Sequence, residues 1–339
     1  EKNLAPLGGR PALGCAMSRL VGSPDDPAPT FVDIMQGRPL VRDSARPGYL
    51  GPAFKPFRPD ISAMFHRELE ESMKGELTNK GMNHQTSLEL NLDLQGGRLD
   101  NRRSLLAQFD RLRRDVDRSG MMDAMDQFSQ QAVGILTSGR LAAALDLAAE
   151  DPRVVESYTA PGDENRERFF TAEGPRATQK FLLARRLVEA GVRCVSVSLS
   201  DFDTHSANFP RMRELVPIFD HGLCALVRDL EQRGLLDDVV IVAWGEFGRS
   251  PTVNKNGGRD HWPSVGPAIL AGGGLRVGQV IGETDRLAAQ AKSRAVTYKD
   301  IFATLYHSLG VDARRTTIRD VRGRPQYLLD EGEPLRELV

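Results

Sequence analysis

The sequence predicts an α/β fold with a mostly parallel sheet and a helical segment inserted ahead of its main strands. Two observations carry that expectation. An apolar run of strand length, Val192-Arg193-Cys194-Val195-Ser196-Val197-Ser198-Leu199, is followed by a long helical pattern. A second buried-strand run, Val239-Val240-Ile241-Val242-Ala243-Trp244, comes next. Strand, helix and strand at this spacing read as a βαβ crossover, which is the connection a parallel pair needs. The length of 339 residues is also within reach of one large α/β unit.

The elements follow in order. Residues 1–60 are rich in proline and glycine and read as irregular structure with one or two short strands, such as Thr30-Phe31-Val32-Asp33-Ile34-Met35. Residues 61–160 read as a mainly helical insertion. Leu105, Phe109, Leu112 and Val116 recur at intervals of three and four, Met121, Met125, Phe128 and Ala132 repeat the spacing, and Leu141 to Ala149 supports a third segment. Ser119 and Ser138 are the expected caps. Residues 161–339 form the C-terminal part of the α/β domain. A helix over about 177–190 stops at Gly191, a residue suited to the left-handed turn that ends helices. Leu215, Ile218, Phe219, Leu223, Leu226 and Leu230 define the next helix, which closes near Gly234. Pro267 to Ala271 reads as a third strand, Val277 to Ile281 as another, and about 298–309 as a helix.

Composition excludes several functions. With 40% hydrophobic and 27% charged residues the chain has the makings of a core and none of the signature of disorder. Its 45 Lys+Arg against 46 Asp+Glu provide no global attraction to nucleic acid, and 6% aromatic residues provide no stacking platform. Cys15, Cys194 and Cys224 show no CxxC spacing, which removes a disulfide scaffold and a cysteine-built zinc site. No apolar stretch reaches the roughly 18 residues that a spanning helix requires. Gly272-Gly273-Gly274 lacks the spacing of a phosphate loop, and neither a P-loop nor a G-x-S-x-G elbow occurs.

Ligands of open α/β sheets bind beyond the carboxyl ends of the strands. Asp201-Phe202-Asp203-Thr204-His205 follows the first strand of the crossover, and Gly245-Glu246-Phe247-Gly248-Arg249-Ser250 follows the second. Gly257-Gly258-Arg259-Asp260-His261-Trp262 lies just before the third. Asp203 and His205 are two residues apart, so on extended backbone their side chains point the same way. Asp203, His205, Glu246 and His261 are therefore candidate ligands of a divalent metal such as zinc, manganese or calcium, with Asp201 and Asp260 as further candidates. Arg249 and Arg259 suit an anion, because a guanidinium grips two oxygens of a phosphate or sulfate at once. A plainer reading stands beside this one: Asp-Thr-His also serves as an Asx turn next to a surface histidine, and Glu246 with Arg249 as an exposed pair. His66, His84, His221 and His307 lie outside these loops and read as structural or surface residues.

The ordered set of these three loops resembles the bacterial domain-of-unknown-function family 1501 (DUF1501). Leu235-Leu236-Asp237-Asp238, Leu270-Ala271-Gly272-Gly273-Gly274, Gly278-Gln279-Val280-Ile281-Gly282 and the stretch from Asp300 through Gly323-Arg324-Pro325 extend the likeness. The resemblance implies membership of the alkaline phosphatase and sulfatase-like superfamily, hence an α/β/α sandwich and, in active members, a two-metal ester hydrolase. By that resemblance Asp203 and His205 match the first ligand pair of the superfamily and His261 its final histidine. Glu246 stands where an Asp-His pair is expected, and Phe247 stands in place of the second ligand. The start at Glu1-Lys2-Asn3-Leu4 resembles the family only from beyond the segment that carries its first strand and nucleophile, so a shortened chain is expected. The nucleophile is then left unassigned, with Thr204 and Ser250 as the nearby hydroxyls.

Two functions follow as expectations. The first is a metal-dependent hydrolase of phosphate or sulfate esters, acting on a small-molecule or polysaccharide ester and exported to the periplasm or cell envelope, as the family resemblance implies. The second is a non-catalytic exported binding protein that retains the fold.

Overall fold

The computed structural model describes residues 4–23, 26–36, 44–61, 64–65, 139–160, 173–174 and 176–339. The helical repeats expected at Leu105 to Val116 and Met121 to Ala132, the caps Ser119 and Ser138, and His66 and His84 lie outside the described residues. In chain order the elements are α1 (Leu13–Val21), β1 (Phe31–Ile34), α2 (Arg140–Leu145), α3 (Pro152–Ser157), α4 (Gln179–Glu189) and β2 (Cys194–Val197). There follow α5 (Asn208–Gln232), β3 (Val240–Trp244), β4 (Gly248–Arg249), β5 (His261–Trp262), β6 (Ala268–Gly272), β7 (Glu283–Thr284) and β8 (Ala291–Ser293). α6 (Tyr298–Ser308), β9 (Thr317–Arg319) and β10 (Pro325–Tyr327) complete the chain. It divides into two compact units.

The first unit holds α1, β1, α2 and β2, together with the last turn of α4 from Arg186 onward. β1 and β2 pair in parallel, Phe31 opposite Cys194 and Ile34 opposite Val197. Every residue of β1 is buried, including Asp33, which is held by Arg58 at 2.7 Å and by the Ser196 hydroxyl at 2.9 Å. A carboxyl group this deep needs such donors in place of its lost water. α1 corrects the expectation that the N-terminal region is irregular. Leu13, Ala16, Met17 and Leu20 carry helical spacing, and Gly14, Cys15, Ala16 and Met17 are the residues it buries, three of them small.

The second unit holds α3, the first part of α4 and everything from Leu199 onward. α4 and α5 pack closely. A Cβ on Gly222 would meet the Phe181 ring at 2.4 Å, so only glycine fits there. Beneath this contact Arg185 donates to Asp229 at 2.8 Å and to Glu150 at 2.7 Å. Tyr158 and Arg233 also donate to Asp229, at 2.9 and 2.7 Å. Burial, and then Asp229, pushes the Tyr158 hydroxyl well above its ordinary range. A second buried pair, Lys180 with Glu173 at 2.6 Å, sits at the start of the functional loop, where the Ser200 N–H donates to Glu173 at 3.0 Å.

The sheet pairing differs from the expected crossover. β2 takes β1 as its parallel partner, whereas β3 pairs antiparallel with β6, Val240 opposite Gly272 and Trp244 opposite Ala268. Alternating apolar runs specify strands but not their direction, which the connection decides. α6 begins with a capping box in which Thr297 and Asp300 satisfy one another's backbone N–H groups. Tyr298 and Phe302 of α6 meet Trp244 edge-on at 5.3 and 5.2 Å, and the Tyr298 hydroxyl donates to the Gly245 carbonyl at 2.6 Å. The end of β3 is thereby fixed. Val277 to Ile281 is not a strand. The Gln279 amide ties this segment to the Arg276 and Glu337 carbonyls at 2.7 and 2.8 Å, and Val280 is 93% exposed. No helix among the described residues is long and apolar enough to cross a membrane.

Asp229→Ala leaves the Arg185 guanidinium, 1% exposed, short of its central partner. Glu150 still pairs with Arg185, so the loss is expected to lower unfolding free energy by about 2–3 kcal/mol, the cost of removing hydrogen bonds to a buried charge without fully orphaning it. Urea denaturation checks it, and a change within 1 kcal/mol would mean the network holds nothing together.

Candidate metal centre

Antiparallel pairing of β3 with β6 puts the chain leaving β3 and the chain entering β6 at the same end of the pair. Between them β4 and β5 form a short antiparallel bridge, Gly248 opposite Trp262 and Arg249 opposite His261. The 201–208 loop is clipped to this hairpin by four backbone contacts. Arg259 N donates to Thr204 O at 2.8 Å, Ala207 N to Asn256 O at 3.1 Å and Asn208 N to Gly257 O at 2.9 Å, and Ser206 bridges Gly257. A Cβ on Gly258 would lie 2.0 Å from the His205 carbonyl carbon, so the two loops approach this closely only over a glycine.

Asp203 and His205 reach the site by a different route from the one expected. Their backbone is not extended: Thr204 N donates to Phe202 O and His205 N to Asp203 O, a run of tight three-residue turns. Thr204 between them is fully buried and donates to Asn208 Oδ1 at 2.6 Å, so its neighbours are left facing outward.

Three ligand atoms converge there. Asp203 Oδ1 lies 3.0 Å from His205 Nε2 and 3.0 Å from His261 Nε2, and the two Nε2 atoms are 3.0 Å apart. All three side chains are about half exposed. The other nitrogen of His205, Nδ1, lies 2.7 Å from Asp260 Oδ1. A neutral His205 that donates this N–H to Asp260 turns a bare lone pair toward Asp203 and His261. An imidazolium at His205 would satisfy both carboxylates yet leave its Nε2 3.0 Å from that of His261. A divalent cation makes all three short contacts favourable at once. Tetrahedral zinc with ligands at about 2.0–2.1 Å needs ligand atoms about 3.3 Å apart, close to the triangle found here. Two imidazoles and one carboxylate suit zinc or manganese better than calcium, which prefers a shell of oxygens.

The surrounding residues fix this triangle. Arg249 Nη2 donates to Asp203 Oδ1 at 2.7 Å, and its Nη1 donates to the Arg259 carbonyl at 3.3 Å. Partial burial pushes the Asp203 carboxyl up, but Arg249 and His261 outweigh it and hold it at about 2. The bond from His205 likewise holds Asp260 below the ordinary carboxylate range. Arg259 donates to the Ser250 and Pro251 carbonyls at 2.8 and 3.2 Å and lies over the Phe209 ring. Asn254 escaped the sequence reading. Its Nδ2 donates to His205 O at 3.0 Å and Asp260 Oδ1 at 3.2 Å, while its Oδ1 accepts from Asn256 N and Gly258 N. The Asn-x-Asn-Gly-Gly turn pattern was the available signal.

Other expected residues stand apart from the triangle. Glu246 is not among the three ligands. Glu246 and Phe247 lie in the bend between β3 and β4, and it is Phe247 that meets His261, with ring centroids 4.3 Å apart. The Glu246 charge instead contributes, after burial, to raising the Tyr298 hydroxyl. Asp201, whose backbone has φ 71, also lies outside the ligand group. The Ser250 hydroxyl donates to Thr252 O at 2.6 Å and accepts from Asp260 N at 3.1 Å.

A family profile described as a protein of unknown function, DUF1501, matches residues 4–339. No curated protein and no solved structure matches the chain.

Asp260→Ala frees the His205 ring to rotate and is expected to weaken zinc binding about 10–100-fold, the usual cost of losing the partner that orients a ligating histidine. Competition with a fluorescent chelator measures this, and unchanged affinity would show that Asp260 does not orient His205. Because its carboxyl is held low, Asp203 contributes stability that is present above the ordinary carboxylate range and is lost as pH falls towards about 2. Carbon-13 NMR titration of the metal-free chain is expected to find that midpoint near 2, and one at the ordinary 3.8 would contradict the Arg249 contact.

Proposed function

This chain belongs to the DUF1501 family, and from its ligand triangle we propose that it is a metal-dependent hydrolase of phosphate or sulfate esters. The α/β/α sandwich implied by its resemblance to alkaline phosphatase and sulfatase-like proteins is part of the same proposal. The observation that carries the reading is the meeting of Asp203 Oδ1, His205 Nε2 and His261 Nε2 at 3.0 Å spacing in solvent. Three protein ligands on an exposed face leave further coordination positions open, as catalytic sites require and structural sites do not.

A divalent ion held there supplies a Lewis acid to an ester oxygen and stabilises the charge that develops as the ester is cleaved. The remaining work falls to the chain. Asp260 keeps the His205 ring oriented, and Arg249 keeps Asp203 ionised. The Phe247 ring covers one side of His261 and fixes its plane. Arg249 lies beside the triangle, on Asp203, and with Arg259 is proposed to hold the ester anion, although the Arg259 guanidinium is occupied by the Ser250 and Pro251 carbonyls.

One observation favours the second reading, a non-catalytic exported binding protein. Thr204 is engaged with Asn208 and Ser250 with Thr252, so neither of these two hydroxyls is free to act as the nucleophile. Release of nitrophenol from nitrophenyl phosphate and nitrophenyl sulfate separates the two. The zinc- or manganese-loaded chain is expected to cleave at least one ester, with activity lost in His205→Ala and His261→Ala. A chain that binds metal through these histidines yet cleaves neither would favour the binding protein.

A further inference from the structure

Asp203 Oδ1 has two claims on it. It is the one carboxylate oxygen of the ligand triangle, and it is also the acceptor of the Arg249 guanidinium at 2.7 Å. Arg249 is 20% exposed and held in place from its other end by the Arg259 carbonyl, so this cation stays beside the triangle whether or not an ion is bound. Its position follows from the β4–β5 pairing, in which Arg249 lies directly opposite His261. Around the triangle no further ligand group assembles among the described residues, and the Phe247 ring lies against His261.

Resting on the metal-centre reading above, we propose that Arg249 is the second cation of a one-metal site, competing with the metal for Asp203 and joining it in binding a tetrahedral oxyanion. Two consequences of opposite sign follow. A guanidinium that shares Asp203 Oδ1 withdraws charge from that oxygen and repels a neighbouring divalent ion, so it lowers metal affinity. An oxyanion seated between the ion and the guanidinium gains from both, through two N–H···O bonds on one side and the metal on the other. Arg249 thus opposes loading of the metal and favours loading of the anion. A residue that only clamped Asp203 in place would favour the metal.

The sign is open to direct test with the full chain, zinc and inorganic phosphate. Zinc affinity is read by chelator competition, stoichiometry by metal analysis, and phosphate affinity by calorimetry on the zinc-loaded protein. Wild type is expected to bind one zinc. Arg249→Gln is expected to bind zinc about tenfold more tightly and phosphate about tenfold more weakly, as removal of one full charge a few ångströms away implies. Arg249→Lys keeps the charge and is expected to return zinc affinity to the wild-type value while only partly restoring phosphate binding, since it lacks the fork. Weaker zinc binding in Arg249→Gln with unchanged melting would overturn the proposal and leave Arg249 a structural clamp. A second zinc bound at the loops, or phosphate affinity unaffected by both variants, would overturn it as well. Should Arg249→Gln fail to fold, the comparison of Arg249→Lys with wild type decides: an equal zinc affinity with weakened phosphate binding upholds the proposal, and weakened zinc binding overturns it. Failure of wild type to bind zinc at all would instead remove the metal-centre reading on which this one rests.

Discussion

Lone pairs that point into one small space repel unless a cation lies among them. The loops around residues 201–208 and 245–262 bring three such ligand atoms together. Asp203 Oδ1, His205 Nε2 and His261 Nε2 are brought to 3.0 Å from one another, and Asp260 Oδ1 lies 2.7 Å from the other ring nitrogen of His205. Such a cluster is costly to assemble in an empty protein. The chain offsets that cost by three means: the Arg249 guanidinium on Asp203, the Asn254 amide on Asp260 and the His205 backbone, and the exposure of all three ligands to water.

The scaffold that delivers these side chains is built for close approach. Gly258 lets the hairpin lie directly against the His205 backbone. α6 fixes the end of β3 through Trp244 and the Gly245 carbonyl, and the buried Lys180–Glu173 pair fixes the chain at Ser200, three residues before Asp203. Neither anchor touches a ligand. Both determine where the ligand-bearing loops start.

Much of this was legible in the sequence because periodicity reports burial. The limits of α4, β2, α5, β3, β6 and α6 fall within about two residues of the patterns that predicted them, apart from the 192–199 run, which shortens by two at each end and leaves Cys194–Val197, and the start of α5, which is set by the loop before it. The pairing of Asp203 with His205 and His261 was also legible, from residue type and position beside strands. Strand direction was not. A segment just before a third parallel strand would lie at the far end of the sheet, so the expected fold would have parted His261 from Asp203. The antiparallel β3–β6 pairing brings them together. Glu246 illustrates a further limit. Its neighbour Phe247, not Glu246, is the residue of the bend between β3 and β4 that meets His261. For Asn254 the turn pattern signals only the local bonds from Asn256 and Gly258, whereas its bonds to the His205 carbonyl and Asp260 emerge only when the loops meet. α1 was hidden because three of its four buried residues, Gly14, Cys15 and Ala16, are small and only Met17 is a large apolar one.

Anomalous diffraction at the zinc absorption edge, from crystals of the chain grown with zinc, tests the existence and place of the centre in one experiment. A single strong peak about 2.0–2.2 Å from Asp203 Oδ1, His205 Nε2 and His261 Nε2 is the expected result. A zinc-soaked crystal with no peak at the triangle, or with the Asp203–His205–His261 contacts unchanged and zinc bound elsewhere, would contradict it.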